Sequence, residues 1–242
     1  MLCGTNMTDI KISNRSAILR LLHEAGAMSR KQIAARLKLT PATITVIINE
    51  LMNESILVEG NSVPNAGAVG RREVMVEISR EKYVALGLAL SQGLVKFTVV
   101  NLHGEIIHEE TFKLPEILTP EYFAETIGRQ IQLKIASYGY SENFIIGIGI
   151  TVCGVVDFAN GIILDSDGIW EEKNVPIVKM FRKQFSFPVI AANNVRSYAN
   201  AYAFLQHDSQ LQNMLFIRNE ATMGVSLILN GQFYGGDRNL AA

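Results

Sequence analysis

Apolar residues recur at helical spacing three times within the first 53 positions. In residues 14–25, Ile18, Leu21, Leu22 and Ala25 share one face. A second stretch opens at Ser29, an N-cap with Gln32 three residues on as its capping-box partner, and buries Ile33, Ala34 and Leu37. Lys38 and Leu39 make a turn. Thr40 then caps a third helix, with Pro41 at its first position, where a missing N–H costs nothing. In that helix Ile44, Ile47, Ile48 and Leu51 lie at i, i+3, i+4 and i+7, which predicts one buried stripe. The opposite face carries Ala42, Val46, Asn49 and Asn53, flanked by Thr43 and Thr45.

The period then changes. Residues 56–59 and 73–78 read as two short strands around a loop rich in Gly, Pro and Asn that ends in Gly70-Arg71-Arg72. Two short helices alone fit any helical core. A preceding amphipathic helix and a following hairpin with a basic tip make the set a winged helix-turn-helix. Its third helix is small, polar and almost uncharged on the face away from the stripe, so it can enter a major groove. The residues expected to meet DNA are Thr40, Ala42, Thr43, Thr45, Val46 and Asn49, with Arg71 and Arg72 in the wing.

Beyond a short charged joint at 79–82 the patterning is that of a larger mixed domain. Residues 83–100 predict two strands around Ser91-Gln92-Gly93, and 105–114 a third. Residues 120–137 are helical, with Phe123, Ile127, Ile131 and Ile135 in phase. The run FIIGIGI at 144–150 predicts a buried parallel strand. A short strand follows at 161–164, a helix at 175–185, a strand at 188–192 and a helix at 195–205. Three more strands are expected at 214–217, 225–229 and 232–234. Antiparallel strands followed by alternating helix and strand predict an α/β core with helices on the sheet. The expected organisation is a flexible arm at 1–13, the winged domain at 14–78 and the core at 79–242.

Composition narrows the function. A net charge of −1 does not make the whole chain a polyanion binder. Residues 11–38, however, carry Lys11, Arg15, Arg20, Arg30, Lys31, Arg36 and Lys38 against one acid, Glu24, and DNA responds to that local field. Cys3 and Cys153 have no metal spacing, so neither a zinc site nor a disulfide framework is expected. His23, His103, His108 and His207 are scattered and read as structural or surface residues. No apolar run approaches the ~20 residues of a membrane span, and the amino terminus has no signal-peptide core. A cytoplasmic protein without cofactor or membrane partner is expected.

In the order of its elements the chain resembles the ROK family of repressors, open reading frames and sugar kinases, whose core is actin-like and ribonuclease-H-like. The segments carrying the resemblance are GIGITVCGVVDFANGII (147–163), WEEKNVPI (170–177), PVIAANNVRSYANAYAF (188–204) and MGVSLILNGQFYGG (223–236). The front resembles the sugar-responsive repressors of that family in particular. The resemblance implies a DNA-binding transcriptional regulator, a repressor of carbohydrate-utilisation genes acting as a homodimer or higher homo-oligomer. Its partners would be double-stranded operator DNA and a sugar or sugar-phosphate effector.

Departures from the family pattern fall where kinase chemistry needs particular groups. The D-x-G-G-T phosphate loop of the kinases is replaced by Ala89-Leu90-Ser91-Gln92-Gly93. Their second loop, G-T-G-x-G, becomes Glu220-Ala221-Thr222-Met223-Gly224, with an acid where phosphates would lie. The catalytic Asp of their E-N-D segment becomes Asn194 in Ala192-Asn193-Asn194, and an amide cannot serve as that base. Cys153 stands where the family often has proline. The resemblance assigns Asn193 and Asn194 to sugar contact, while from the residues alone either can instead cap the helix that follows. Asp157 and Asp165 read as turn and strand-end residues. The chain stops before the family's G-E-x-G-H segment and its zinc loop, so the core is expected to be incomplete. The rival reading is a ROK sugar kinase with an accessory DNA-binding domain. A third keeps DNA binding and makes the core a ligand-free dimerisation module.

Overall fold

The structure is a computed structural model that describes residues 7–60, 73–91, 93–116, 118–205, 212–219 and 223–236. It divides into two compact units, 1–82 and 83–242. The first contains α1 (Met7–Ala25), β1 (Met28–Ser29), α2 (Arg30–Leu37), α3 (Pro41–Asn53), β2 (Leu57–Glu59) and β3 (Met75–Ile78). The three strands form one antiparallel sheet in the order β1-β3-β2. Helix α2 starts at the expected capping box, since Ser29 Oγ accepts the Gln32 amide and Gln32 Oε1 accepts that of Ser29. It ends at Lys38, which adopts φ 55° and donates its backbone N–H to Ala34. The predicted stripe is buried: Ile44, Ile47, Ile48 and Leu51 are at most 4% exposed, and Ile18, Leu22 and Ile33 of the same unit are buried as deeply.

Two features of this unit differ from the sequence expectation. Residues 7–13, expected in a flexible arm, are helical, because α1 starts at Met7. A tertiary ion pair holds that extra length, Lys11 lying 2.8 Å from Glu50 on α3, and next to it Arg15 grips Glu54 just beyond α3. The short strand β1 was not anticipated either. Two residues are too few for a periodic signal, and pairing with β3 alone defines it.

The second unit is built on a five-stranded mixed sheet of β4 (Val84–Ser91), β5 (Leu94–Asn101), β6 (Ile106–Lys113), β7 (Ile145–Val152) and β10 (Val189–Asn193). Its order is β10-β7-β4-β5-β6. The β4, β5 and β6 strands pair antiparallel, whereas β7 runs parallel to both β4 and β10. One face packs on α4 (Pro120–Ser137) and α5 (Ile177–Phe181), where Leu88, Phe97, Ile148 and Val189 meet Phe123, Ile131, Ile177 and Phe181. Each such buried side chain contributes about 1.5–3 kcal/mol. A hairpin of β8 (Val155–Asp157) and β9 (Ile162–Asp165) follows β7. After β10 comes α6 (Asn194–Leu205), which packs on a second antiparallel sheet of β11 (Met214–Asn219), β12 (Met223–Leu229) and β13 (Gln232–Phe233).

The run expected as a buried parallel strand does lie parallel to β4 and β10, with Ile145, Ile148 and Ile150 buried. Ile146 is 51% exposed, where the β4–β7 register shifts between Ile145 and Gly147. The helix expected over 175–185 is confined to Ile177–Phe181, since Val175 is held by an antiparallel bridge to Ile163.

Candidate functional site

Helix α3 presents the arrangement on which DNA recognition would depend. Thr40 caps it, its hydroxyl accepting the Thr43 amide at 3.2 Å. The Thr40 and Thr43 hydroxyls are 2.9 Å apart, and the Thr45 hydroxyl donates to the Pro41 carbonyl at 2.8 Å. Thr43 is half-buried, while Ala42, Thr45, Val46 and Asn49 are exposed. Burying four large aliphatics while leaving Val46 58% exposed is what an unpartnered recognition face requires. Beside it runs a groove of about 390 Å³ between α2 and α3, lined by Arg30, Lys31, Ala34, Leu39, Pro41 and Thr45 among others. Arg71 and Arg72 of the wing lie outside the described residues.

The basic segment is not uniformly available to a polyanion. Lys11 and Arg15 are turned onto Glu50 and Glu54. Hydrogen bonding from Arg15, foremost, holds the Glu54 carboxyl below the usual carboxylate range. Lys31 is 86% exposed and only 4.0 Å from Glu73. The sequence carried a signal for the first pairing: two cations four apart on one helix and two acids four apart on another. It did not say that the helices would meet.

In the second unit Asn193 and Asn194 come together with the loop after β7. Asn193 Oδ1 accepts the Val195 amide at 2.7 Å, and its Nδ2 donates to the Gly154 carbonyl at 2.7 Å. Asn193 is therefore the cap of α6, one of the two roles its sequence context allowed. Asn194 is buried, with Nδ2 3.0 Å from Cys153 Sγ. Arg218 on β11 reaches the same sulfur at 3.7 Å, a neighbour that no sequence motif indicated. Gly154 adopts φ +115°, and a Cβ there would lie 2.1 Å from the Asp165 carbonyl oxygen, so only glycine fits the turn. Asp157 closes its turn by accepting from Asn160, and Asp165 pairs with Lys173.

At the place of the first kinase phosphate loop, Ala89 to Ser91 stay in β4 and pair residue by residue with β5 as far as Ser91 opposite Leu94. Gln92 and 220–222 lie outside the described residues, and with them the acid expected in the second loop. Among the described residues no cluster of His, Cys, Asp and Glu is placed to hold a metal, and no helix is long and apolar enough to cross a membrane.

Comparison with known proteins places both units. Residues 86–242 match the ROK family, and residues 13–58 match the winged helix-turn-helix DNA-binding family. The chain is 26% identical over 231 residues to the DNA-binding transcriptional dual regulator NagC of Escherichia coli (strain K12), covering 96% of this chain and 56% of that protein. It is 22% identical over 231 residues to the xylose repressor of Bacillus subtilis (strain 168), covering 96% and 59%. The chain thus spans somewhat more than half the length of these relatives. Among solved structures, a ROK family transcriptional regulator described as a homolog of the E. coli MLC protein aligns with TM-score 0.77 at 23% identity, over 94% of this chain and 57% of that one. The ROK hexokinase of Thermus thermophilus aligns with TM-score 0.53 at 20% identity, over 64% and 50%.

Proposed function

The chain belongs to the ROK family, and from that premise we propose that it is a transcriptional regulator, a repressor of carbohydrate-utilisation genes. Its winged unit binds operator DNA, and its ROK unit answers to a sugar or sugar phosphate. The observation that carries this reading is the division of α3: four aliphatics sealed in the core, and an uncharged face of Ala42, Thr45, Val46 and Asn49 left to solvent. Such a face offers a methyl-bearing surface to thymine and an amide to base edges. Relatives bearing both units are regulators by name. As a homodimer the protein would set two such helices into successive major grooves of an inverted repeat.

The kinase reading is disfavoured by the residues present. Asn194 cannot take a proton from a sugar hydroxyl. Ala89 to Ser91 stay paired with β5, with side chains where a glycine-rich loop would bare its backbone to phosphate. Asn193 and Asn194 remain the candidate sugar contacts. Asn193 would serve through what its cap leaves over, and Asn194 through its carbonyl oxygen. A cytoplasmic site of action follows from the DNA partner.

The test is selection of duplexes from a random library by the full chain, then titration of sugars and sugar phosphates against the selected complex. Enrichment of an inverted repeat, weakened by one class of sugar, is the expected result. Enrichment without any response to sugars favours a dimerisation module, and no enrichment overturns the reading.

A further inference from the structure

The recognition helix carries its two acids near its carboxyl end, on the side facing α1. Glu50 and Glu54 lie one turn apart there, as do Lys11 and Arg15 on α1, so the two helices meet through a ladder of two rungs. Lys11 Nζ is 2.8 Å from Glu50 Oε1. Arg15 engages both oxygens of Glu54, with Nη1 at 3.0 Å from Oε1, and the same Nη1 is 3.5 Å from Glu50 Oε2. That Glu50 oxygen is buried and accepts no hydrogen bond, so Arg15 is the cation that balances it. Exposed ion pairs of this kind add little stability. Their geometry does more. Helix α1 packs on α2 and β3, and α3 on α2 and β2. The ladder ties α1 directly to α3.

We propose that Lys11–Glu50 and Arg15–Glu54 are positioning pairs for DNA recognition, fixing the attitude of α3. The inference rests on the DNA-binding reading above. A bidentate arginine holds a carboxylate in one orientation, which a lone lysine cannot do. Lys11 and Arg15 thereby act through α3 and not as phosphate contacts, although by sequence they belong to the basic segment.

The experiment compares the full chain with Arg15→Gln, Lys11→Gln and the exchange Arg15→Glu/Glu54→Arg. Each is titrated with the duplex that wild type selects and with an unrelated duplex of equal length, at several salt concentrations. Positioning predicts that Arg15→Gln weakens the selected duplex about 3–10-fold and leaves the unrelated one within twofold, with an unchanged salt slope, all read well below the variant's melting temperature. It further predicts that the exchange recovers part of that loss, short of wild type because the Glu50 oxygen 3.5 Å from Arg15 then faces a carboxylate. Equal weakening of both duplexes with a flatter salt slope, unrepaired by the exchange, would make Arg15 a phosphate contact and overturn the proposal. So would wild-type affinity of Arg15→Gln for the selected duplex. If the wild type selects no duplex, the DNA-binding reading fails and the inference with it.

Discussion

Asn193 Nδ2 donates to the Gly154 carbonyl at 2.7 Å, and the bond ties the end of β10 to the loop that leaves β7. The two strands are parallel neighbours, paired from Val189 with Ile148 to Asn193 with Val152. Their carboxyl ends are where ligands settle in open α/β sheets. A single side chain therefore shapes this end of the sheet and caps the helix that rises from it.

Replacing it removes both contacts. Asn193→Ala is expected to destabilise the ROK unit by about 1–3 kcal/mol, from the lost cap and an unanswered carbonyl. Asn193→Asp keeps the acceptor for the Val195 amide and loses the donor to Gly154, so it should fall between wild type and alanine. Urea denaturation of the three proteins checks the order. A sugar effect of Asn193→Ala counts as a ligand contact only in excess of what this loss of stability explains.

Gly154→Ala places a methyl carbon against a backbone carbonyl at a positive φ. It should cost about 2–4 kcal/mol, read as a lowered denaturation midpoint with unchanged slope. Ala159→Gly, in the exposed turn nearby, should change stability by well under half of that.

On α3, Asn49→Ala should weaken the selected operator by about 1–3 kcal/mol and relax preference at one base position. Thr40→Ala should act differently. Its hydroxyl is spent on the Thr43 amide, so the loss of about 1 kcal/mol falls on folding and reaches DNA indirectly. Melting curves beside binding isotherms separate the two. The wing arginines are tested the same way: Arg71→Ala and Arg72→Ala should weaken all duplexes and flatten the salt slope.

Stability of the winged unit should fall in acid. Arg15 lowers the folded-state pKa of Glu54, so the pair's stabilisation is present above the ordinary glutamate range and disappears as pH falls through the lowered value. Comparing wild type with Glu54→Gln between neutral pH and pH 3 isolates it. The difference between the two proteins should be largest near neutrality and shrink toward the acid end. It should also shrink in high salt, since the pair is partly exposed.

Purified protein given ATP, magnesium and a panel of hexoses and pentoses should phosphorylate none above background. Asn194→Asp should remain inactive, because the hairpin at Ser91 and Leu94 still offers no phosphate loop. Sugar phosphate formed at an ordinary kinase rate would reinstate the enzyme reading.

The sequence by itself determined whatever depends on local spacing. The capping box at Ser29 and Gln32, the Thr40-Pro41 start of α3 and its buried stripe are written within a few residues of where they act. The limits of α4 were legible for the same reason: Thr119 caps, Pro120 opens, and a four-residue repeat runs on to Ile135. Strand order and register in the large sheet were not legible, because register is set between segments far apart in sequence. Only the folded chain decided that Ile146 lies half-exposed while Ile148 is buried, since the β4–β7 register shifts between Ile145 and Gly147 and no local pattern marks that irregularity. The same holds for the candidate sites. That Asn193 caps α6 depends on its own neighbours, and the sequence allowed it. That its other end meets Gly154, that Arg218 reaches Cys153, and that Lys11 and Arg15 turn from solvent onto α3 are long-range facts. A charge count measures how many cations a segment owns, and tertiary packing decides which of them already have a carboxylate.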